Sequence, residues 1–461
     1  MKLPLGRIAE FIGAVGEFDT AAIASGYSID SRTIAPGELF FAVKGEHLDG
    51  HDFVEKALAT GALAAVVGRD QAVRYNPQHR LLAVADPLSA LQSLGAAARR
   101  LWGKKLIAVT GSTGKTTTKE AIAQVLQTRF RVLKSEGNLN NHFGLPLQLL
   151  RLEPEHEIAV IEIGMNHAGE IRALADIAHH DVAVVTNVGP VHLEFFDSVA
   201  AIARAKYELI ETLHAGGTAV LNVDDEYVSQ FGRDFHGKVL TFGIHHPADV
   251  RAQNIEERGL EGSAFDLLAD SYRQSVQLPL LGLHNVYNAL AAATVGMEAG
   301  VAPSEVARAL AALSPQDKRG QRMEVGGATV INDCYNSNPK ALAAMVSSFA
   351  RLPARRRIVV AGEMLELGPT SDELHRQCGT SIAKNGIDVV LGVRGAARHM
   401  VEAAQAAGMA AEFVETPQQA GEWLAREVHP GDAVLLKASR GVKLEGVLEA
   451  WRAYREAAAA R

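Results

Sequence analysis

The sequence predicts an α/β protein of three domains, and three observations support this. Short apolar runs alternate with helical stretches along most of the chain, a pattern typical of parallel sheets covered by helices. The 461 residues suffice for two to four domains. A polar segment at residues 313–324 interrupts the alternation and marks a boundary near residue 314. We therefore expect domains at residues 1–100, 101–314 and 315–461.

The first domain is expected to be a small α/β unit. Its apolar runs at residues 38–43 and 62–68 are separated by segments rich in turn residues, at residues 25–37 and 44–51. The stretch 86–105 has the pattern of a helix that leads into the second domain.

The second domain is expected to hold a parallel sheet, which begins with the apolar run at residues 105–111. Further strand-like runs lie at residues 157–164, 181–189, 218–225 and 238–244. The third domain repeats the alternation and is expected to be a doubly wound, Rossmann-like unit without a phosphate loop of its own. Its strand-like runs lie at residues 355–364, 387–393, 410–415 and 432–439.

The composition excludes several classes of protein. The net charge is −7 and there is no extended basic tract, so nucleic acid is not expected as a partner. No apolar segment is long enough to cross a bilayer, and the first residues lack the continuous apolar region of a secretory signal. Cys334 and Cys378 are too few and too far apart for a disulfide framework or a metal motif. We expect a cytoplasmic, monomeric protein with no membrane span.

The segment Thr110 to Glu120, "TGSTGKTTTKE", predicts a phosphate-binding loop between a strand and a helix. Gly111 and Gly114 allow the backbone N–H groups to turn inward, Lys115 supplies a positive charge, and Thr116 supplies a hydroxyl for Mg²⁺. The common G-x-x-x-x-G-K-[ST] pattern would place its first glycine at Val109. The loop is therefore a shortened version, and a merely structural glycine turn does not explain its strand–loop–helix context.

Lys206 interrupts the apolar stripe of a predicted helix that carries Ile202 and Leu209 at core-facing positions. A lysine at such a position commonly extends to water along the apolar surface. The alternative is a functional lysine, because burial lowers the pKa of an amine and a neutral amine can react. Reaction with CO₂ would give a carbamate, an oxygen ligand for Mg²⁺.

Glu162 and His192 follow apolar runs, at the edge of the sheet where α/β proteins bind ligands. Mg²⁺ prefers oxygen ligands, so Glu162 is the better metal candidate. His192 is compatible with metal ligation, with a hydrogen bond to phosphate or with a structural role in its loop. Spacing does not choose among these three roles.

Three further polar residues stand at predicted element ends. Asn285 and Asn288 carry carboxamides suited to the edge of a base, although both would also suit helix capping. Asp333 lies in "INDCYNSNP", which taken alone reads as a turn rich in Asn and Asp.

Taken together, these segments resemble the Mur ligases, the ATP-dependent amide ligases of cell-wall precursor synthesis. The resemblance covers almost the whole chain. "TGSTGKTTTKE" is similar to the shortened phosphate loop of the family, and "HLEFFDSVAAIARAKYELI" is similar to the segment with its carbamylated lysine, at Lys206. "LGLHNVYNALAA" resembles its adenine-side motif.

Within this family, four segments resemble the members that join D-alanyl-D-alanine to UDP-N-acetylmuramoyl-tripeptide: "GNLNNHFGLP", "IEIGMNHAGEI", "INDCYNSNP" and "AGEMLELG". Members that add the third amino acid, and folylpolyglutamate synthases, typically carry Asp-x-Ala-His-x-Pro where this chain has "DCYNSNP". The chain departs from the family at Ala341, where a serine is usual.

The resemblance implies a role for each matching residue. Lys115, Glu162, His192 and Lys206 are implied as catalytic, with Thr116, Glu162 and carbamylated Lys206 as ligands of Mg²⁺. ATP is implied to contact Thr110, Gly111, Ser112, Thr113, Gly114, Lys115, Thr116, Thr117, Asn285, Asn288, Arg322 and Asp333. The UDP-sugar and peptide substrates are implied to contact Ser31, Arg32, Lys44, Asp49, Gly50, His51, Asn138, Asn140, Asn336 and Asn338.

The resemblance also implies a division of labour, with the UDP-sugar on the first domain, ATP on the second and D-alanyl-D-alanine on the third. Three rival hypotheses stand beside this one. The chain would be a related amino-acid or folate ligase, a regulatory ATPase whose output is conformational, or a degenerate UDP-sugar scaffold. The "DCYNSNP" segment argues against the first, and Lys115, Thr116, Glu162 and Lys206 together argue against the last.

Overall fold

A computed structural model describes residues 1–76 and 80–459 of the protein. In the first part of the chain the elements are β1 (Leu3–Pro4), α1 (Leu5–Ile12), β2 (Ile23–Ala24), β3 (Gly26–Ser28), β4 (Glu38–Phe41), α2 (Val54–Thr60), β5 (Ala64–Gly68), β6 (Leu81–Val84) and α3 (Pro87–Trp102). Strands β3 to β6 form a parallel sheet in sequence order. The expected small α/β unit is confirmed.

The central part of the chain holds the largest sheet. Its elements are β7 (Lys105–Thr110), α4 (Lys115–Leu126), β8 (Val132–Lys134), α5 (Gly144–Leu149), β9 (Ile158–Glu162), α6 (Glu170–Ala178), β10 (Val182–Val185), α7 (Val199–Glu211), β11 (Thr218–Asn222), β12 (Lys238–Gly243), β13 (Val250–Glu257), β14 (Ser263–Ala269), β15 (Tyr272–Leu278), α8 (Leu283–Glu298) and α9 (Pro303–Ala311). The strand order is β15-β14-β13-β12-β11-β10-β7-β9-β8.

The core of this sheet explains why its strands read as unbroken apolar runs. Ile107 and Val109 of β7 pack into a core with α4 and α8, on one face of the sheet. Leu106 and Ala108 pack into a second core on the opposite face. A parallel strand covered on both faces needs apolar residues at every position rather than at alternate ones.

The expected parallel central sheet is confirmed, and antiparallel strands extend it at one end. Across the sheet from the β8 edge to β13, neighbouring strands are parallel. Strands β13, β14 and β15 form an antiparallel meander at the other edge. Strand β15, Tyr272–Leu278, is largely exposed and polar. Its sequence lacks the continuous apolar character of a doubly covered strand, which is why the apolar runs did not reveal it.

The C-terminal part forms a second sheet in the order β16-β17-β21-β18-β19-β20, parallel except for the β16–β17 hairpin. Its elements are β16 (Gln321–Val325), β17 (Ala328–Asn332), α10 (Pro339–Phe349), β18 (Arg357–Gly362), α11 (Ser371–Lys384), β19 (Val389–Val393), α12 (Ala397–Ala406), β20 (Ala410–Val414), α13 (Pro417–Glu427), β21 (Ala433–Lys437) and α14 (Gly446–Ala459). The predicted doubly wound unit is confirmed.

Both cysteines lie inside the C-terminal unit as free thiols. Cys334 belongs to one of its cores and Cys378 to the other. Burial raises the pKa of each thiol to about 12. Both therefore stay protonated and behave as small apolar side chains.

Helix α3 joins the first unit to the central sheet through a buried arginine. Arg99, whose residue exposure is 6%, donates to the carbonyl oxygens of Ala178 and His179 and to Asp181 Oδ2, at 2.9, 2.8 and 3.0 Å. Asp181 Oδ2 also accepts from the backbone N–H of Leu106, at 2.7 Å. Arg99 therefore fastens α3 to the C-terminal end of α6 directly, and to β7 through Asp181.

We expect Arg99→Met to lower the free energy of unfolding by about 2–4 kcal/mol, because it leaves buried acceptors without a donor. Arg100→Met is the matched control, since Arg100 is exposed and its loss should cost less than about 0.5 kcal/mol. Calorimetric melting of both variants tests this. Equal melting temperatures would show that Arg99 does not fasten the helix.

Candidate active site

The shortened phosphate loop lies between β7 and α4, as the sequence predicts. Gly111 and Gly114 have φ angles of 150° and 80°, and Gly114 is the N-cap of α4 without a side-chain cap. The first N–H groups of the helix are thus open to an anion. A Cβ at Gly114 would lie 2.4 Å from Asn288 Oδ1, so only glycine fits this approach.

The loop is held in shape by the end of β10. Asn187 Oδ1 accepts from the backbone N–H and the hydroxyl of Thr113, at 3.1 and 3.0 Å. The Thr186 hydroxyl donates to the Thr113 carbonyl at 2.6 Å, and the Ser112 hydroxyl contacts the backbone of Gly189. Thr110 is buried, while Thr117 lines the cavity described below. The loop is preformed rather than shaped by a ligand.

Lys115 folds back over the loop. Its Nζ donates to the Gly111 carbonyl at 2.9 Å. Burial lowers its pKa, the nearby Glu162 carboxylate opposes this shift, and the Arg319 charge adds to it. An anion bound in the loop would favour the ammonium form and replace the carbonyl as its partner.

Glu162 stands at the end of β9 with each carboxylate oxygen held. Its Oε2 accepts from the Thr116 hydroxyl and its Oε1 from Asn140 Nδ2, both at 2.7 Å. The carboxylate is buried, at 3% residue exposure. Gly164 leaves the space that Asn140 occupies, because a Cβ there would lie 2.9 Å from the Asn140 side chain.

Lys206 is the least compensated charge of the predicted set. It is 2% exposed, and no hydrogen bond or ion pair to its ammonium is found among residues 1–76 and 80–459. Burial lowers its pKa well below the ordinary value, and the positive charge of Lys115 lowers it further. Lys206 is therefore buried rather than extended to water, and its burial disfavours the charged form.

His192 reaches across to the C-terminal unit. Its φ angle is 56°, and its Nδ1 lies 2.5 Å from Glu366 Oε2. The hydrogen bond from His192, opposed by burial, lowers the pKa of Glu366. Glu366 also accepts through its backbone carbonyl from the N–H of Glu194 at 3.1 Å. The three roles left open for His192 stay open, but this contact defines where the two units touch.

A cavity of about 740 Å³ lies between the central and C-terminal units. Most of the residues proposed for ATP and metal binding line it, but Thr110, Gly111, Lys206 and Arg322 are not among its described lining residues. The lining set includes Ser112, Thr113, Gly114, Lys115, Thr116, Thr117, Asn138, Asn140, Glu162, His192, Asn285, Asn288, Asp333, Asn336 and Asn338.

The two asparagines of α8 are linked to each other and to α4. Asn288 Nδ2 donates to Asn285 Oδ1 at 3.0 Å, and Asn288 Oδ1 accepts from the Thr118 hydroxyl at 3.0 Å. Asn285 Nδ2 donates to the Leu281 carbonyl at 2.8 Å. Part of their hydrogen-bonding capacity is thus structural, and both remain at the cavity wall.

The C-terminal wall contains the "INDCYNSNP" segment. Asp333 Oδ2 is paired with Lys437 Nζ, and the Asn336 carbonyl accepts from the same lysine at 3.2 Å. Asn338 caps α10, because its Oδ1 accepts from the N–H of Ala341 at 2.9 Å. The turn-forming role that the sequence left open is therefore present beside the cavity.

Arg322 is placed elsewhere than expected. It lies on β16, with a side chain 55% exposed and 3.7 Å from Glu324 Oε1. Arg319 lines the cavity instead, where its guanidinium carbon lies 3.9 Å from the centre of the Tyr335 ring. The alternating exposure of β16 turns Arg322 outward, since side chains two residues apart share a face.

The residues predicted for the UDP-sugar belong to the first unit, and none is among the described residues that line the cavity. Arg32 is paired with Asp30 at 2.7 Å, and Ser31 is buried. Lys44 forms a backbone bridge with Asp49. A Cβ at Gly50 would lie 2.6 Å from the Val43 carbonyl.

His51 is held at both ring nitrogens. Its Nδ1 lies 2.6 Å from Asp49 Oδ1, and its Nε2 accepts from the Gly68 N–H at 3.0 Å. This fixes the tautomer with the proton on Nδ1. The contacts give His51 a structural part in the turn of residues 49–51.

A metal would find few protein ligands here. No group of three or more His, Cys, Asp or Glu suited to a metal ion occurs in the part of the chain that the structure describes. The Glu162 carboxylate and the Thr116 hydroxyl do supply two oxygens side by side. That set fits Mg²⁺, which keeps several waters and takes further oxygens from phosphates.

Comparisons with known proteins agree along most of the chain. Family models match three segments: "Mur ligase family, catalytic domain" at residues 24–134, "Mur ligase middle domain" at residues 109–296, and "Mur ligase, glutamate ligase domain" at residues 318–440. The UDP-N-acetylmuramoyl-tripeptide–D-alanyl-D-alanine ligase of Bacillus subtilis is 36% identical over 441 residues, 93% of each chain.

The chain belongs to the Mur ligase family. The ligase of the same description from Escherichia coli is 36% identical over 88% of this Mur ligase and 89% of its own length. Among solved structures, MurF from Acinetobacter baumannii has a TM-score of 0.88 at 29% identity and covers 97% of this chain and 98% of its own.

MurF from Thermotoga maritima in complex with ADP is also similar to this Mur ligase. Its TM-score is 0.82 at 29% identity, over 93% of this chain and 97% of that one. No helix among the described residues is long and apolar enough to cross a membrane.

Several residues of this site were not predicted from the sequence. Arg319, Lys340, Glu366 and Arg440 line the cavity of the Mur ligase beside the expected residues. Lys340 Nζ donates to the Val188 carbonyl at 3.1 Å, across the gap between the units. Such long-range pairs leave no periodic signal in the sequence. The available signals were the "AGEMLELG" segment, which contains Glu366, and the "NSNP" segment, which Lys340 follows.

We expect Gly114→Ala to raise the KM for ATP by at least about 10-fold, because the added Cβ displaces the Asn288 carboxamide and the loop. Gly408→Ala is the matched control: its φ of 81° carries the same backbone strain, but nothing lies within 4 Å of the added Cβ. The test is to measure the KM for ATP of both variants by titration. An equally small rise in both KM values would show that the Asn288 contact has no role in ATP binding.

Proposed function

We propose that this Mur ligase uses ATP to join D-alanyl-D-alanine to UDP-N-acetylmuramoyl-tripeptide, in the synthesis of peptidoglycan precursors. The observation that carries the proposal is the cavity itself. It brings the phosphate loop, the Glu162 carboxylate and the "INDCYNSNP" segment together. Relatives that cover most of the chain have this activity by name.

The chemistry requires two attacks in order. A carboxylate oxygen of the tripeptide attacks the γ-phosphorus of ATP, the bond to the β-phosphate oxygen breaks, and ADP leaves an acyl phosphate. The amine of D-alanyl-D-alanine then attacks the acyl carbon, phosphate leaves, and the nitrogen loses a proton. The protein's contribution is alignment and charge neutralisation, as in other phosphoryl transfers.

The residues divide this work between them. The open N–H groups of α4 and the Lys115 ammonium hold the ATP phosphates. Asn285 and Asn288 offer carboxamides beside the loop, and the Asp333 carboxylate faces them from the C-terminal unit. The Arg319 guanidinium adds positive charge at this wall, and Arg322, which the family resemblance implies for ATP, lies nearby in sequence on β16.

Thr116 and Glu162 would hold Mg²⁺. When bound, Mg²⁺ neutralises charge on the phosphate oxygens. Asn140 keeps the Glu162 carboxylate fixed through its hydrogen bond to Oε1. That contact supports a positioning role for Asn140 in addition to substrate contact.

Lys206 is proposed to carry a carbamate. The neutral amine attacks the carbon of CO₂ and loses one proton, which leaves an anion on the side chain. The change places an anion on the side chain that lies close enough to Lys115 to feel its positive charge. The Lys115 ammonium would offset part of the cost of burying that anion.

The first unit, residues 1–100, is proposed to bind the UDP-sugar. Arg32 is the exposed cation of the "DSRT" turn, suited to a diphosphate once Asp30 is displaced. Residues 101–314 bind ATP and residues 315–461 bind the dipeptide in this proposal. The sheets of the three units fall within these ranges.

We expect release of ADP and phosphate to require both UDP-N-acetylmuramoyl-tripeptide and D-alanyl-D-alanine. The reason is that neither attack has a nucleophile without its substrate. Phosphate release is measured with each substrate omitted in turn, and with other amino acids in place of the dipeptide. Equal turnover without the two substrates would instead favour a regulatory ATPase.

We expect Lys206→Ala to lose most activity, on the order of 10²-fold, while its melting temperature is retained. Acetate should restore part of the activity, because it places a carboxylate in the vacated space. Ala205→Gly on the same helix is a control for general weakening of α7, which acetate should not rescue. Near wild-type turnover of Lys206→Ala without acetate would end the carbamate hypothesis.

A further inference from the structure

The C-terminal wall of the cavity holds two arginines around one aromatic ring. The guanidinium carbon of Arg319 lies 3.9 Å from the centre of the Tyr335 ring, and that of Arg440 lies 5.9 Å from it. All three residues line the cavity. A guanidinium against a ring face keeps its edge donors free for a planar anion.

Charges around this ring do not balance. Glu445 Oε1 is shared by Arg440 Nη1 at 2.6 Å and Lys318 Nζ at 3.3 Å. Lys318 also lies 3.6 Å from the exposed Asp317. For Arg319, no ion pair with any described residue is found. Three cations thus meet two carboxylates, which leaves an excess positive charge beside the cavity and favours an anionic ligand.

Arg440 has the donors to take that anion. Only its Nη1 is used by Glu445, and no hydrogen bond of Nε or Nη2 to the described residues is found. Its side chain is 53% exposed. The Nε and Nη2 donors lie in one plane and match the two oxygens of a carboxylate.

Other cations of the wall are already neutralised one to one. Lys437 is paired with Asp333, Lys340 with Asp225, and Arg351 with Glu257. Arg319 lies close enough to Lys115 to lower its pKa, which puts it on the side of the phosphate loop. Arg440 is therefore the cavity-lining cation beside Tyr335 whose Nε and Nη2 donors are available.

We infer that Arg440 binds the terminal carboxylate of the incoming dipeptide. This inference rests on the proposed function, because the amine of that dipeptide must reach the acyl phosphate at the phosphate loop. A two-residue chain spans about 7 Å, so its carboxylate lies that far from the loop. Arg440 lines the same cavity as the phosphate loop, so its guanidinium and the loop border one space.

The test is the steady-state kinetics of Arg440→Gln. We expect the KM for D-alanyl-D-alanine to rise about 10- to 100-fold, the loss of a charge-assisted pair, with the KM for ATP unchanged. Arg440→Lys keeps the positive charge but lacks the paired donors of a guanidinium. Its KM for D-alanyl-D-alanine should lie between those of the wild type and Arg440→Gln. Arg398→Gln is the matched control, because Arg398 is 50% exposed and paired with Glu415 at 3.2 Å on the same unit.

A change on the substrate side makes the test specific. D-Alanyl-D-alaninamide keeps the reacting amine and lacks the carboxylate. The wild-type KM should be lower for the acid than for the amide, by the same factor by which Arg440→Gln raises the KM for the acid. The Arg440→Gln variant should have similar KM values for the acid and the amide. Matching losses of this kind identify a direct pair, as in a double-mutant cycle.

Two outcomes would overturn the inference. A rise in the KM for ATP alone would assign Arg440 to the phosphates. An unchanged preference for the acid in Arg440→Gln, with or without a lower melting temperature, would make it a structural residue. If the wild-type enzyme does not use D-alanyl-D-alanine at all, the proposed function itself fails, which the parallel assay without variants shows separately.

Discussion

The close approach of α8 to the phosphate loop is the constraint on which the rest of the site depends. Asn288 touches the position where Gly114 lacks a side chain and accepts from Thr118 one turn into α4. This contact fits the loop and α4 against α8 and Asn285, while the residues after β10 hold the shape of the loop itself. Because close-packed interiors shift little, one added methyl group would be felt along both helices.

A second constraint is electrical. Lys115 lies near both Lys206 and Arg319, and the Glu162 carboxylate opposes the Lys115 charge. In a medium of low dielectric, positive groups placed this close together are costly without anions. The site therefore favours negative charge, and stability and ligand binding depend on the same residues.

Sequence patterns predicted the parts of this structure that repeat or that sit on one short segment. Parallel strands are recognisable in the sequence because burial of both faces requires continuous apolar runs. The phosphate loop is recognisable because its residues are contiguous. The β13–β15 meander escaped because its edge strand is polar. Arg319 was not predicted because a residue in the turn before β16 carries no periodic signal. The His192–Glu366 contact was not predicted because a contact between distant residues leaves no local pattern.

The buried thiols give the C-terminal unit a built-in reporter. Cys334 directly follows Asp333 at the cavity wall, yet its sulfur is sealed in one core, and Cys378 is sealed in the other. Alkylating reagents act on thiolates, so each sulfur becomes reactive only when its own side of the sheet opens. The two labelling rates thus measure local opening of the two layers separately. Occupancy of the neighbouring cavity would slow the rate at Cys334 more than the rate at Cys378.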